Sequence, residues 1–364
     1  RYLHALVRRQ RQMCIRDIFY NTAKKKYKMM KESILKFPST RLRRNRQSSW
    51  IRNLVEEHSL TSNDLIWPVF ICEGKNKKEE IKSMPNVYRY SIDNLNEVKD
   101  IAESQNINLI ALFPYTPEEL KSNDGKEALN PENLVCKSID QLSRSNKSFG
   151  LMCDVALDPY TDHGHDGLIN DSGKILNDET NKLLVKQALL YAECGADVIA
   201  PSDMMDGRIG MIRNQLEKND FQDTLILSYA AKYASAMYSP FRDAVGSSSS
   251  LKSDKKTYQM NINNSDEAIR EASMDISEGA DILMVKPGIS YLDIIYRIKH
   301  ELNFPTFAYQ VSGEYSLIKL AAEKSLVDEK AVVLEQLASF KRAGADAIIT
   351  YFAPEVSKFI KLTE

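Results

Sequence analysis

Two lysines close apolar runs that read as β-strands. Lys232 ends the run 224–232 (TLILSYAAK) and Lys286 ends the run 281–286 (DILMVK). If the two runs are neighbouring strands of a parallel sheet, their amines stand about 5 Å apart at one edge and share a cavity. Like charges in a partly dry pocket depress each other's pKa, and an amine that is neutral at pH 7 attacks carbonyls and forms a Schiff base. A single lysine is ordinarily a solvated surface charge. Two at adjacent strand ends, both in apolar settings, point to covalent chemistry instead.

A second concentration of reactive groups lies at 154–167 (DVALDPYTDHGHDG), where Asp154, Asp158, Asp162, Asp166, His163 and His165 crowd together. Such density invites a cation, and oxygen donors suit Mg²⁺ or another hard ion better than zinc. The alternative is a polar turn whose aspartates cap backbone N–H groups, the better reading for Asp162 alone. Residues 243–258 contain the run Gly246-Ser-Ser-Ser-Ser and hold Lys255, with Arg242 before and Gln259 after. A Gly/Ser hinge carrying cations over a site reads as a lid that clamps an acidic substrate, with a plain surface linker as the alternative.

These groups need a scaffold. Eight short, nearly continuous apolar runs can be marked, at 65–72, 107–113, 150–157, 197–202, 224–232, 281–286, 306–312 and 346–352, each separated from the next by a helical stretch. That pattern specifies a parallel sheet covered by helices. Gly-Ala-Asp recurs at 195–197, 279–281 and 344–346, with the glycine placed to end a helix just before a strand. Eight such units predict a (β/α)₈ TIM barrel preceded by an extended N-terminal arm; about 250 residues is the usual size. An open doubly wound sheet is the runner-up, but no G-x-G-x-x-G follows an early strand. In a barrel the chemistry lies at the C-terminal strand ends, which here carry Asp154, Ser202, Asp203, Lys232, Lys286, Ser312 and Tyr351.

Of 364 residues, 43% are hydrophobic and 27% charged, so the chain can bury a core and is not of disordered composition. No run approaches the roughly 18 consecutive apolar residues of a membrane span, and no apolar signal region opens the chain. Five cysteines without a C-x-x-C pair indicate neither a disulfide framework nor a thiolate zinc site. The near-neutral total hides an asymmetry. Residues 1–49 hold 15 Lys or Arg against Asp17 and Glu32, leaving 34 basic and 48 acidic residues beyond. A basic head can bind nucleic acid or serve as a transit peptide, but the simpler reading is an arm, 1–49, that packs on an acidic neighbouring subunit. Residues 1–28 read as a leader or upstream translation, with Met29 or Met30 as the start and 50–364 as the catalytic domain.

At these residues the sequence closely resembles the porphobilinogen synthase, or 5-aminolevulinate dehydratase, family. The resemblance runs from about Phe37 to the end and is carried by DVALDPYTDHGHDG (154–167), APSDMMDGRIG (200–210), SYAAKYASAMYSPFRDA (228–244), MVKPGISYLDI (284–294) and YQVSGEY (309–315). It implies condensation of two molecules of 5-aminolevulinate, through two lysine Schiff bases and with loss of two waters, to the pyrrole porphobilinogen of haem biosynthesis. It assigns the propionate-side substrate to Lys286 with Ser312 and Tyr351, and the acetate-side substrate to Lys232 with Arg242, Lys255 and Gln259. Asp154 and Ser202 line the site. Zinc-dependent members carry cysteines where this chain has Ala156, Asp158 and Asp166, so the resemblance implies an aspartate-rich branch without catalytic zinc or organic cofactor. Glu271 then matches the ligand of an allosteric, hydrated Mg²⁺, and Asp158 and Asp166 stay open as ligands of a further cation. The resemblance also implies a homo-oligomer, with an octamer expected and a hexamer or dimer as alternatives, binding neither nucleic acid nor membrane. The cytoplasm is the expected location, with a plastid as the alternative. A class I aldolase also uses a barrel lysine, but needs only one and does not explain Arg242, Lys255 and Gln259. A catalytically silent, nucleic-acid-binding or structural oligomer is opposed by the intact lysine pair.

Overall fold

The computed structural model describes residues 37–144, 147–246 and 254–361. The expectations for residues 1–36, including the leader and the start at Met29 or Met30, and for the middle of the lid, 247–253, lie outside the described residues. The chain divides after Glu57 into two compact units. That break falls beyond the residue-49 boundary read from charge, because the short helix Ser49–Leu54 packs against the turn Leu42–Arg46. None of the described residues of this first unit is buried.

The second unit is built on ten strands: β1 (Leu65–Cys72), β2 (Lys78–Glu80), β3 (Tyr88–Ser91), β4 (Leu109–Tyr115), β5 (Gly150–Val155), β6 (Val198–Pro201), β7 (Leu225–Lys232), β8 (Ile282–Lys286), β9 (Thr306–Tyr309) and β10 (Ala347–Ile349). Eight of them, all but β2 and β3, pair in parallel and in chain order, and β10 returns to β1 through Leu65↔Ile348 and Ile66↔Ile349 to close the barrel. All eight runs marked in the sequence therefore form its staves. Their continuous apolar character follows from burial on both faces, and β1 is buried at every position.

Helices follow the staves, and the Gly-Ala-Asp repeats join helix to strand. Gly195, Gly279 and Gly344 all have φ near +100°, a conformation that suits glycine at a helix end. The aspartates that follow do a second job. Asp197, Asp281 and Asp346 each accept a hydrogen bond at 2.7 Å from the first amides of the preceding strand, those of Leu151, Ile226 and Thr306. Each also meets a cation, from Lys147, Arg213 and Lys299 respectively. The repeat is thus a device for setting strand register at the end of the barrel opposite the site.

The β2–β3 hairpin was not expected from the sequence. β3 runs parallel to β1 along the part of its edge that β10 leaves uncovered, pairing Phe70↔Arg89 and Cys72↔Ser91, and β2 pairs antiparallel to β3. Among the described residues, no helix is long and apolar enough to cross a membrane.

Candidate active site

The register of β7 against β8 places Lys232 directly opposite Lys286, after an irregularity between Ser228 and Ala231 that shifts the pairing. Both side chains are buried, with 6% and 5% of their surfaces exposed. They border one small cavity of about 30 Å³ together with Asp158, Arg242, Lys255 and Gln259, so six of the expected site residues converge there.

The two amines have unlike surroundings. Lys232 forms an ion pair with Asp166 at 2.9 Å and also donates to the Ser202 carbonyl. Lys286 lies among aromatic rings instead: its Nζ is 4.4 Å from the ring centre of Tyr309, 5.0 Å from Phe241, 5.1 Å from Tyr229 and 5.6 Å from Tyr238. Burial, and then repulsion from Lys232, bring its pKa down from 10.5 to about 7 against the pull of Asp154, Asp158 and Asp166. Mutual repulsion was the cause expected from the sequence; it is present, but desolvation outranks it.

Asp166 is the electrostatic hub. It is fully buried and meets Lys232, Lys255 (2.6 Å) and the Tyr258 hydroxyl, which donates at 2.8 Å. Burial works to raise its pKa, but the two ammonium groups prevail and hold it well below the carboxylate range. Lys255 also reaches Asp158 at 3.3 Å. Both aspartates that the sequence left open as cation ligands are thus engaged by lysine. Among the described residues, no group of three or more His, Cys, Asp or Glu side chains converges as a metal cage.

Asp154, at the end of β5, is the opposite case. Burial raises its pKa to about 6 although Lys286 and Lys232 oppose the shift, and its Oδ1 is buried without a hydrogen-bond partner. Tyr351 follows β10, stacks on Phe70 at 5.8 Å and shares a 3.1 Å hydrogen bond with the Tyr309 hydroxyl, so it adjoins the Lys286 surroundings. Ser312 opens the helix Ser312–Glu323 and its Oγ accepts from the Phe241 amide at 2.9 Å. Glu271 stands apart, half-buried on the helix Asp266–Glu278. Burial and then Asp275 raise its pKa, opposed by Arg208. Arg208 is itself buried between Asp203 (3.4 Å) and Asp275 (3.5 Å).

Tyr238, Phe241, Tyr258 and Tyr309 were not singled out from the sequence. The available signal was that Tyr309 falls within the apolar run 306–312; the others follow strands or lie in the lid, where spacing says nothing of direction.

A family model described as delta-aminolevulinic acid dehydratase matches residues 39–359. A delta-aminolevulinic acid dehydratase of Bradyrhizobium diazoefficiens is 53% identical over 321 residues, covering 88% of this chain and 91% of that protein. A chloroplastic one from Chlamydomonas reinhardtii is 45% identical, covering 88% of this chain and 84% of that protein. The crystal structure of the Toxoplasma gondii enzyme in complex with the reaction product porphobilinogen aligns with a TM-score of 0.86 at 47% identity, covering 88% of this chain and 91% of that one.

Proposed function

The chain belongs to the delta-aminolevulinic acid dehydratase family and has its activity, the condensation of two 5-aminolevulinate molecules to porphobilinogen, within which we propose that Lys286 and Lys232 act in a fixed order set by their surroundings. The observation that carries this reading is the register pairing of two buried lysines, one among rings and one ion-paired.

Lys286 takes the first substrate. With a pKa of about 7, a large share of its amine is neutral at physiological pH. The lone pair on Nζ forms a bond to the C4 keto carbon, the carbonyl oxygen leaves as water, and a protonated imine results. Asp154, with a pKa near 6, is suited to pass protons to the departing oxygen and back. Ser312 and Tyr351 hold the carboxylate through hydroxyls, which adds no positive charge beside the amine. Ser202 fixes Lys232 through its carbonyl.

Lys232 acts second because its amine is engaged by Asp166 and the Ser202 carbonyl, contacts it must give up before it can attack a carbonyl. Arg242, Lys255 and Gln259 form the carboxylate site of this second substrate. An iminium at C4 keeps that carbon electrophilic and makes its neighbour acidic, so C–C and C–N bonds form between two held molecules without a redox cofactor. Incubating the purified chain with 5-aminolevulinate and assaying for a pyrrole tests the activity. A class I aldolase would return no pyrrole.

We assign the metal dependence to Mg²⁺ through Glu271. The chemistry supports it: Glu271 is a half-buried carboxylate whose pKa burial raises first, with Asp275, Asp206 and Glu267 adding negative charge against Arg208, and a lone oxygen donor in such a place fits a largely hydrated Mg²⁺ rather than a dehydrated cage. When bound, the ion would supply neutralising charge outside the lysine pocket. Glu271→Ala is expected to abolish stimulation by Mg²⁺ while basal turnover persists, and a zinc-selective chelator to leave wild-type activity largely intact. Strong inhibition by that chelator would remove the aspartate-rich assignment.

The arm is proposed as an assembly element of a homo-oligomer, an octamer by family resemblance. In the chain by itself Phe37, Leu42, Trp50 and Leu54 are 65–75% exposed, more apolar surface than so short a segment carries without a partner. Deleting 37–46 should lower the mass seen by light scattering and reduce activity. An unchanged mass would contradict this role.

A further inference from the structure

The helix Ser239–Ala244 has six residues and carries both Phe241, whose ring lies 5.0 Å from the Lys286 amine, and Arg242, which lines the lysine cavity. A helix this short has no stability of its own, and the carbonyls of its last turn lack intrahelical partners. Something outside it must hold it in place.

Its C-terminal turn is gripped from the β2–β3 hairpin and the β4 end. Arg89 on β3, 7% exposed, donates from Nε to the Ala244 carbonyl at 2.7 Å and from Nη2 to the Asp243 carbonyl at 2.6 Å. Its guanidinium lies 4.4 Å over the Tyr115 ring, and Nη1 meets Glu79 at 3.0 Å. Lys121 donates to the Gly246 carbonyl at 2.7 Å. Gly246 itself has φ +70°, and an added Cβ would fall 2.6 Å from the Tyr115 ring, so the chain is pressed against that wall. A buried cation on the last two carbonyls suits a helix C-terminus in charge as well as geometry, and Lys121 ties down the chain two residues beyond it.

We infer that Arg89 is a positioning residue for this reaction: with Lys121 it clamps the end of helix Ser239–Ala244, and thereby sets Phe241 against Lys286 and Arg242 against the second substrate's carboxylate. The part concerning Arg242 rests on the reading of that residue given above. The part concerning Phe241 rests on the ring contact alone.

The test compares Arg89→Gln, Arg242→Gln and the double variant in steady-state kinetics with 5-aminolevulinate. A displaced guanidinium should raise KM about tenfold in each single variant, since an ångström of misplacement is worth up to about a hundredfold. The double variant should be no worse than the worse single one, because both remove the same contact. Arg89→Lys keeps the charge but not the fork across two carbonyls, so an intermediate KM is expected. A second readout is the pH midpoint for borohydride trapping of substrate at Lys286, which should move upward in Arg89→Gln as Phe241 recedes and water reaches the amine. If Arg242→Gln raises KM but Arg89→Gln leaves both KM and the midpoint unchanged, or the two losses add, the clamp is wrong and the carboxylate reading stands. If Arg242→Gln leaves KM unchanged, the carboxylate reading falls, and the midpoint alone decides the clamp. Should Arg89→Gln not fold, Lys121→Gln must show the same two shifts in smaller measure, and its indifference would overturn the inference.

Discussion

Lys286→Met is expected to fold and to lose turnover by at least about four orders of magnitude, the scale seen when a covalent catalytic group is removed. The side chain that replaces the amine is apolar and enters a pocket made by Tyr229, Tyr238, Phe241 and Tyr309, so the surroundings accept it. The pH dependence of the parent enzyme should carry the same signature. Because the amine has a pKa of about 7, its neutral fraction rises as pH increases through that value, and the rate of first imine formation should rise with it by one-proton titration. A rate that climbs only near pH 10, where an ordinary lysine titrates, would mean that the rings do not depress the group. Circular dichroism and rapid-quench trapping from about pH 5 to about pH 11 supply the two readouts.

The second large effect is expected at Asp166. Asp166→Asn removes the charge that joins Lys232 at 2.9 Å and Lys255 at 2.6 Å, and leaves the Lys232 ammonium buried with neutral acceptors in place of its carboxylate partner. Breaking a buried pair from one side costs about 3–5 kcal/mol, whereas Lys255 keeps Asp158 as a partner. A fall in the unfolding midpoint and a loss of turnover of at least about a hundredfold should therefore appear together. The pH profile of the stability difference is fixed by sign. The folded-state pKa of Asp166 lies below its unfolded value, so its contribution is full above the unfolded carboxylate pKa of about 3.9 and is lost as pH falls below it. The gap between parent and variant should stay level from pH 8 to 5 and close only in stronger acid. Denaturant titrations at four pH values measure it, and a gap that closes near pH 6 would assign the effect to another group.

How much of this was legible in the sequence depended on whether a feature is local. The eight staves could be read because a strand buried on both faces must be apolar at successive positions, as β1 is throughout. The β2–β3 hairpin could not: β2 is Lys-Glu-Glu, exposed at every residue, and exists through its pairing with β3, which lies along β1. The lysine pair was visible as two strand ends, and register then set them side by side. Their difference was not visible. It arises from rings delivered by three separate segments to Lys286 and from an aspartate 66 residues away that reaches Lys232. Asp166 illustrates the limit well. From its neighbours in sequence it reads as a metal ligand, and only tertiary structure shows it between two lysines. Ser312 was expected at a strand end; the strand stops at Tyr309, Ser312 opens the helix that follows, and its contact with the Phe241 amide depends on a one-turn helix that no periodicity announces.

Borohydride trapping tests the central claim, the order of the two lysines, most directly. Parent, Lys286→Ala and Lys232→Ala proteins are incubated with 5-aminolevulinate and borohydride, and the reduced adducts are located by peptide mass. The first adduct in the parent should lie on Lys286. Lys232→Ala should be inactive and still give one adduct at Lys286, while Lys286→Ala should give neither adduct nor turnover. Label found only on Lys232, or on neither lysine, would contradict the mechanism.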